Sequence, residues 1–297
     1  MSKVAIVTDG SSDLSDEFIK KYDISVVPLR IIFGYEIYKL WGRDKCEIST
    51  EDFHKKLENI SKEDIPSSSV PSPGLFVEAF ENALSISDSV IAIFVGAKLS
   101  ATVETAQKII QNYFPDKDIT IFDSKQAMMG IGIQVLEAAR MAKEGKTKKE
   151  ILERLTYIQP RVNNVFVLKD LNYLHKQGRI GRAKKIMASA FNMSPVVSFE
   201  DGVVIPLGVI KGEKNVVAQM TRYGEKILEH TETNEVFLYH VRNQGLAQEI
   251  FDEIQKINTQ SRDIHLYEAG NICCVISGPK SVCFSYIGEF DKDWLMK

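Results

Sequence analysis

Short apolar runs alternate with amphipathic stretches through the first half of the chain. Residues 4–7, 26–33, 90–95 and 119–122 are rich in Val and Ile with little polar alternation, the pattern of strands buried on both faces. Between them, 15–21, 73–85, 101–114 and 126–143 carry helical spacing, and strand–helix alternation predicts an α/β sheet. The second half differs. Residues 165–168, 196–199, 203–210, 236–240, 272–276 and 282–287 are the strand candidates, and 148–159, 183–192, 216–229 and 244–257 the helices. Two of the strands flank Glu200-Asp201-Gly202, where Asp-Gly is a strong hairpin signal. The long helix must end before Pro160, which places a domain boundary at Gln159-Pro160-Arg161. The expected organisation is two α/β domains, 1–159 and 160–297. The first has a mostly parallel sheet with helices on both faces; the second has a mixed sheet with helices.

The length of 297 residues suits two domains, because single cores stop growing near 250–300 residues. The net charge of −3 lacks the basic excess that phosphate neutralisation needs, which disfavours general nucleic-acid binding. Four cysteines without a C-x-x-C pair suit a reducing compartment. No apolar run is long enough for a signal peptide or a membrane span, so the expectation is a cytoplasmic protein without stable membrane insertion.

Four loops carry the polar chemistry. Thr8-Asp9-Gly10-Ser11-Ser12-Asp13-Leu14-Ser15 follows the first strand, where open α/β sheets place ligands. Its structural reading is the stronger: Ser15 as N-cap, with Asp16 and Glu17 favouring the helix dipole. Ser67-Ser68-Ser69-Val70-Pro71-Ser72-Pro73-Gly74 leads into a helix, with Ser72 as N-cap and Pro73 in the first turn. Its three upstream serines form a donor cluster suited to an anion, or a plain polar loop. Gly96-Ala97-Lys98-Leu99-Ser100-Ala101-Thr102 again joins strand to helix, with Ser100 as the expected N-cap.

The fourth loop is a basic stretch. Lys176, Arg179, Arg182, Lys184 and Lys185 fall within ten residues, and no acid occurs between Asp170 and Glu200. Arg179, between two glycines, is the best ligand candidate; Arg182, Lys184 and Lys185 face solvent or a partner. His54, His175, His230, His240 and His265 show no metal-ligand spacing, and no G-x-S-x-G elbow occurs. Neither a metal site nor a serine hydrolase is expected from these residues.

Taken together, these loops resemble the DegV family. Thr8-Asp9-Gly10-Ser11-Ser12-Asp13-Leu14 is similar to its T-D-S-S-x-D-L opening, and Ser68-Ser69-Val70-Pro71-Ser72 to T-S-Q-P-S. Leu99-Ser100-Ala101-Thr102 resembles the end of S-S-x-L-S-G-T, Phe122-Asp123-Ser124-Lys125 a D-S strand end, and Gly178-Arg179-Ile180 the G-G-R-I turn. The Glu200-Asp201-Gly202 hairpin and Ser277-Gly278-Pro279 fall where that family has a D-G turn and H-x-G-P-G.

The resemblance implies two α/β domains enclosing an apolar tunnel at their interface, which holds a long-chain fatty acid. It implies no cofactor and no catalysis by this chain, but presentation of the carboxylate to a separate ATP-dependent fatty acid kinase. The ligand-binding positions it implies are Ser68, Ser69, Ala97, Ser100, Thr102, Arg179 and Ile276, with Arg182, Lys184 and Lys185 for partner docking. Gly96 and Ala97 replace paired serines, Ile276 replaces a histidine, Val70 a glutamine and Gly10 a serine. About a dozen buried methylenes at ~0.8 kcal/mol each outweigh the loss of single head-group bonds worth roughly 1.5–3 kcal/mol. Two alternatives remain on the residues alone. One is a family member acting only through protein–protein contact. The other is a phosphate-ligand enzyme using the Asp9–Asp13 loop and the basic turn, which predicts Mg²⁺-dependent nucleotide binding.

Overall fold

The computed structural model describes residues 3–58, 60–61, 64–187 and 192–295. The chain divides into two compact units, Met1–Pro160 with Gly270–Ile272, and Arg161–Ala269 with Cys273–Lys297.

The first unit is built on β1 (Val4–Asp9), β2 (Ser25–Val27), β6 (Ser89–Phe94) and β7 (Asp118–Asp123), all parallel, in the order β2-β1-β6-β7. Every residue of β1 and β6 is buried, which the absence of polar alternation predicts for a sheet covered on both sides. On one face Ala5, Val7, Val90, Ala92 and Phe94 meet α3 (Pro73–Ile86) and α4 (Thr102–Tyr113) through Phe76, Phe80, Val103 and Ala106. Residues of the other parity, Val4, Ile6, Ile91 and Ile93, are equally buried. α5 (Met129–Lys143) packs on β1 and β6, and α6 (Lys148–Ile158) packs on α5. The apolar segment 26–33 is not one strand. Pro28 has no N–H to continue the ladder, and the chain leaves the parallel sheet there. The residues beyond it form β3 (Leu29–Phe33), which pairs antiparallel with β4 (Glu36–Leu40) and β5 (Ser67–Ser69) in a second, three-stranded sheet.

In the second unit β8 (Val162–Val167), β9 (Ser194–Glu200), β10 (Val203–Ile210), β11 (Glu235–Val241), β12 (Asp263–Glu268) and β13 (Ser281–Ile287) form a mixed sheet ordered β10-β9-β8-β13-β11-β12. Within this sheet only β11 and β12 pair in parallel among the described residues. The predicted hairpin is present: Glu200 pairs with Val203, and Asp201 (φ 48°) with Gly202 (φ 73°) takes the left-handed conformation of a two-residue turn. One face of the sheet is covered by α8 (Glu213–His230) and α9 (Gln244–Ile257), with Met220, Tyr223, Ile227 and Ile254 over Leu238, Phe284 and Tyr286. On the other face Asn164 Oδ1 accepts from the Tyr239 hydroxyl and from Ser285 Oγ, both at 2.7 Å, so these three buried groups satisfy one another.

Residues 272–276 are not a strand. They lie in α10 (Asn271–Ser277), whose first residues belong to the first unit and the rest to the second. Ile272, Cys273, Cys274 and Val275 are all buried, so no polar face marks the helical period, and a short apolar run is ambiguous without one. Gly270 N donates to Asp13 Oδ1 at 2.9 Å and Asn271 Nδ2 to Ile48 O at 3.2 Å, which fastens this return segment to the first unit. The helix expected at 183–192 is a 3₁₀ turn over Gly181–Ile186, and 188–191 lie outside the described residues. β4, β12, α2 (Thr50–Leu57) and α7 (Asn172–Lys176) carry no sequence signal strong enough to have been read.

The loop after β1 is seated tightly on the second sheet: a Cβ at Gly10 would lie 2.2 Å from Leu40 O. Gly10→Ala should therefore lower stability by about 1–3 kcal/mol, as overpacking does. Urea denaturation measures it, and an unchanged midpoint would contradict the close approach.

Candidate functional site

Asp9 ends β1 fully buried. Its Oδ1 accepts from Ser11 N at 2.9 Å and from Ser11 Oγ; its Oδ2 accepts from Val95 N at 2.9 Å. The carboxylate thus locks the carboxyl ends of β1 and β6 together. Burial holds its carboxyl above the ordinary range, although all three donors pull the other way. Ser15 caps α1 (Asp16–Lys21) by accepting from Phe18 N at 3.2 Å. The structural reading of this loop is the one its bonds support.

The serine loop is partly a strand. Ser67–Ser69 pairs with β3, Ser68 opposite Ile31 and Ser69 opposite Arg30. Successive strand residues point to opposite faces, so one head group on one side takes only one of these two serines. Ser68 shares its face with the fully buried Ile31, whereas Ser69 shares the opposite face with Arg30. Ser72 does occupy the N-cap of α3, with Pro73 in the first turn, but its side chain makes no capping bond.

In the third loop Ala101, not Ser100, stands at the N-cap of α4, and no side chain caps it. Ser100 Oγ pairs instead with Thr102 Oγ1 at 2.9 Å. Ala97 N donates to Asp123 Oδ1 at 3.1 Å, so that backbone donor is already engaged. Val70 and Val103 both belong to the apolar cluster that includes Phe76 and Phe94 in the first unit.

Arg179 and Ile276 lie in the second unit. Gln177 Nε2 donates to Val275 O at 3.2 Å, and Arg179 Nη1 donates to Gln177 O at 2.7 Å, placing the Arg179 turn against α10. Arg179 is half-buried, and loss of water lowers its guanidinium below the ordinary value. Gly181 (φ 52°) packs on the backbone of β10, where a Cβ would meet Val204 O at 2.6 Å. Tyr173, which sequence reasoning missed, lies over Gly278, and burial with nearby Cys274 and Asp170 pushes its phenol up to about 12. Of the basic residues, Arg182 on the 3₁₀ turn pairs with Glu200 at the end of β9, while Lys184 and Lys185 are exposed. Among the described residues no cluster of His, Cys, Asp and Glu could hold a metal, and no helix is long and apolar enough to cross a membrane.

The profile of the DegV family, described as uncharacterised, matches residues 3–289. The chain belongs to the DegV family. A DegV domain-containing protein of Caldanaerobacter subterraneus subsp. tengcongensis is 35% identical over 251 residues, 84% of this chain and 86% of that one. The structure is similar to that of a fatty-acid-binding DegV family protein from Thermus thermophilus, with a TM-score of 0.84, 25% identity, and coverage of 97% of this chain and 100% of that one. The fold also matches a DegV family protein of Eubacterium eligens loaded with heptadecanoic acid, with a TM-score of 0.80 and 20% identity over 96% of this chain and 100% of that one. These matches establish the two-part α/β architecture read from the DegV-like motifs.

The buried Asp9 gives this DegV chain a signed pH dependence. Unfolded, Asp9 ionises near its ordinary 3.8; folded, it keeps its proton to higher pH. The stability it contributes is complete below the ordinary value and declines as pH rises through the raised one. Asp9→Asn should abolish that component, and it should cost about 1–3 kcal/mol because an amide NH₂ faces a backbone N–H. Urea unfolding across a pH series reads both effects; identical pH profiles for the two proteins would refute the assignment.

Proposed function

We propose that this DegV protein binds a long-chain fatty acid and performs no chemistry on it, presenting the carboxylate to a separate ATP-dependent kinase. The observation that carries the reading is family membership over nearly the whole chain, together with the likeness to the fatty-acid-binding Thermus thermophilus protein at a TM-score of 0.84 over 97% of this chain. In this reading the acid end is held by Ser68, by the Ser100–Thr102 hydroxyl pair and by Arg179. Arg179 is the strongest of these groups, because a half-buried guanidinium is a fork-shaped donor for a carboxylate. Ile276, half-buried on α10, and Ala97 offer no side-chain donor, so the acyl tail supplies most of the affinity. Lys184 and Lys185 would meet an acidic surface of the kinase, with Arg182 shared between that surface and Glu200.

Organic extraction of the purified protein followed by mass spectrometry should recover an acyl compound. Displacement of a fluorescent fatty acid should show Arg179→Gln binding about 10- to 100-fold more weakly, the loss of charge-assisted hydrogen bonds. No extracted lipid and no binding of added fatty acid would remove the reading.

A further inference from the structure

The three-stranded sheet carries a group of cations that the fatty-acid reading does not use. Arg30 on β3 lies directly opposite Lys39 on β4 and Ser69 on β5, so all three side chains share one face. Neither cation pairs with a carboxylate among the described residues. Glu47 accepts from the backbone N–H of Lys39 at 2.7 Å. Like charges placed directly across a ladder repel. Two buried polar atoms on the same face also lack partners, Arg30 Nε and Ser69 Oγ; the guanidinium's hydrogen bond is a long one, from Nη2 to Val70 O at 3.4 Å. Buried donors left without acceptors are uncommon, and when they cluster they mark a place for a missing acceptor.

We infer that Arg30, Lys39 and Ser69 form a binding site for a phosphate group, on the opposite face of the sheet from Ser68. The guanidinium fork supplies two parallel donors, the ammonium a second positive charge and the serine hydroxyl a third kind of donor. The tetrahedral oxygens of a phosphate group can meet the guanidinium fork, the ammonium and the hydroxyl together, whereas a planar carboxylate offers only two oxygens. Two sources of that group fit the surroundings. One is free inorganic phosphate. The other is the head group of an anionic phospholipid, because Ile37, 55% exposed, lies on the same face and Tyr35, fully exposed, forms the adjoining hairpin tip. An exposed aliphatic and an exposed tyrosine beside basic residues suit the interfacial zone of a bilayer.

The test compares the full-length protein with Arg30→Gln in two arms, thermal shift with inorganic phosphate and co-sedimentation with vesicles of phosphatidylglycerol or of phosphatidylcholine. A phosphate-dependent rise in melting temperature that is lost in the variant supports the site and identifies the free anion. Sedimentation with phosphatidylglycerol vesicles but not phosphatidylcholine vesicles, weakened about tenfold or more in the variant, supports it and identifies the head group. Without added anion, Arg30→Gln should melt no lower than the parent, because it relieves repulsion from Lys39. If it does melt lower, Lys39→Gln replaces it in both arms. No binding in either arm, or binding unchanged by the substitutions, overturns the inference. Because the readouts use no fatty acid, the result is independent of whether the protein binds one.

Discussion

The burial of Asp9 at the end of β1 is the constraint around which the first unit is arranged. A carboxyl group fully removed from water has to be met by donors, and Ser11 and Val95 supply them. Val95 continues from β6, the neighbouring strand, so one side chain fixes the relative ends of the two central strands and the loops that leave them. Gly10 then drops against β3 and β4, and Asp13 accepts the returning Gly270 N–H. The loop's polar residues, which invite a ligand when read in isolation, are largely consumed in holding this junction.

The fold was legible wherever one physical signal dominated. Buried parallel strands announce themselves as Val- and Ile-rich runs, and the Asp-Gly turn announces the β9–β10 hairpin. Where two signals compete, the apolar run alone misleads. In 26–33 a single proline outweighed the continuity of the pattern and split one expected strand between two sheets. In 272–276 complete burial erased the polar face that separates a helix from a strand. Ser67–Ser69 was hidden for the opposite reason: three hydroxyl residues read as a loop, and only pairing with β3 makes them a strand.

The candidate site was legible as a set of segments and not as geometry. Arg179 and Ile276 are far apart in sequence, and what joins their turns is the bond from Gln177 to Val275, which no spacing rule announces. The alternation that separates Ser68 from Ser69 becomes visible only once the strand is known. Ser100 was a reasonable cap by residue type, yet its hydroxyl is held by Thr102 and the helix starts one residue later. Tyr173 and Arg30 carry no motif at all; cross-element packing alone gives them significance.

The short return of Gly270–Ile272 has a bearing on how this chain can be divided. The first unit is not finished when translation passes Pro160, since the donors for Asp13 Oδ1 and Ile48 O arrive more than a hundred positions later. A fragment truncated at that proline would lack these donors and with them a piece of its own interior. The two units therefore cannot be separated by a single cut in the sequence.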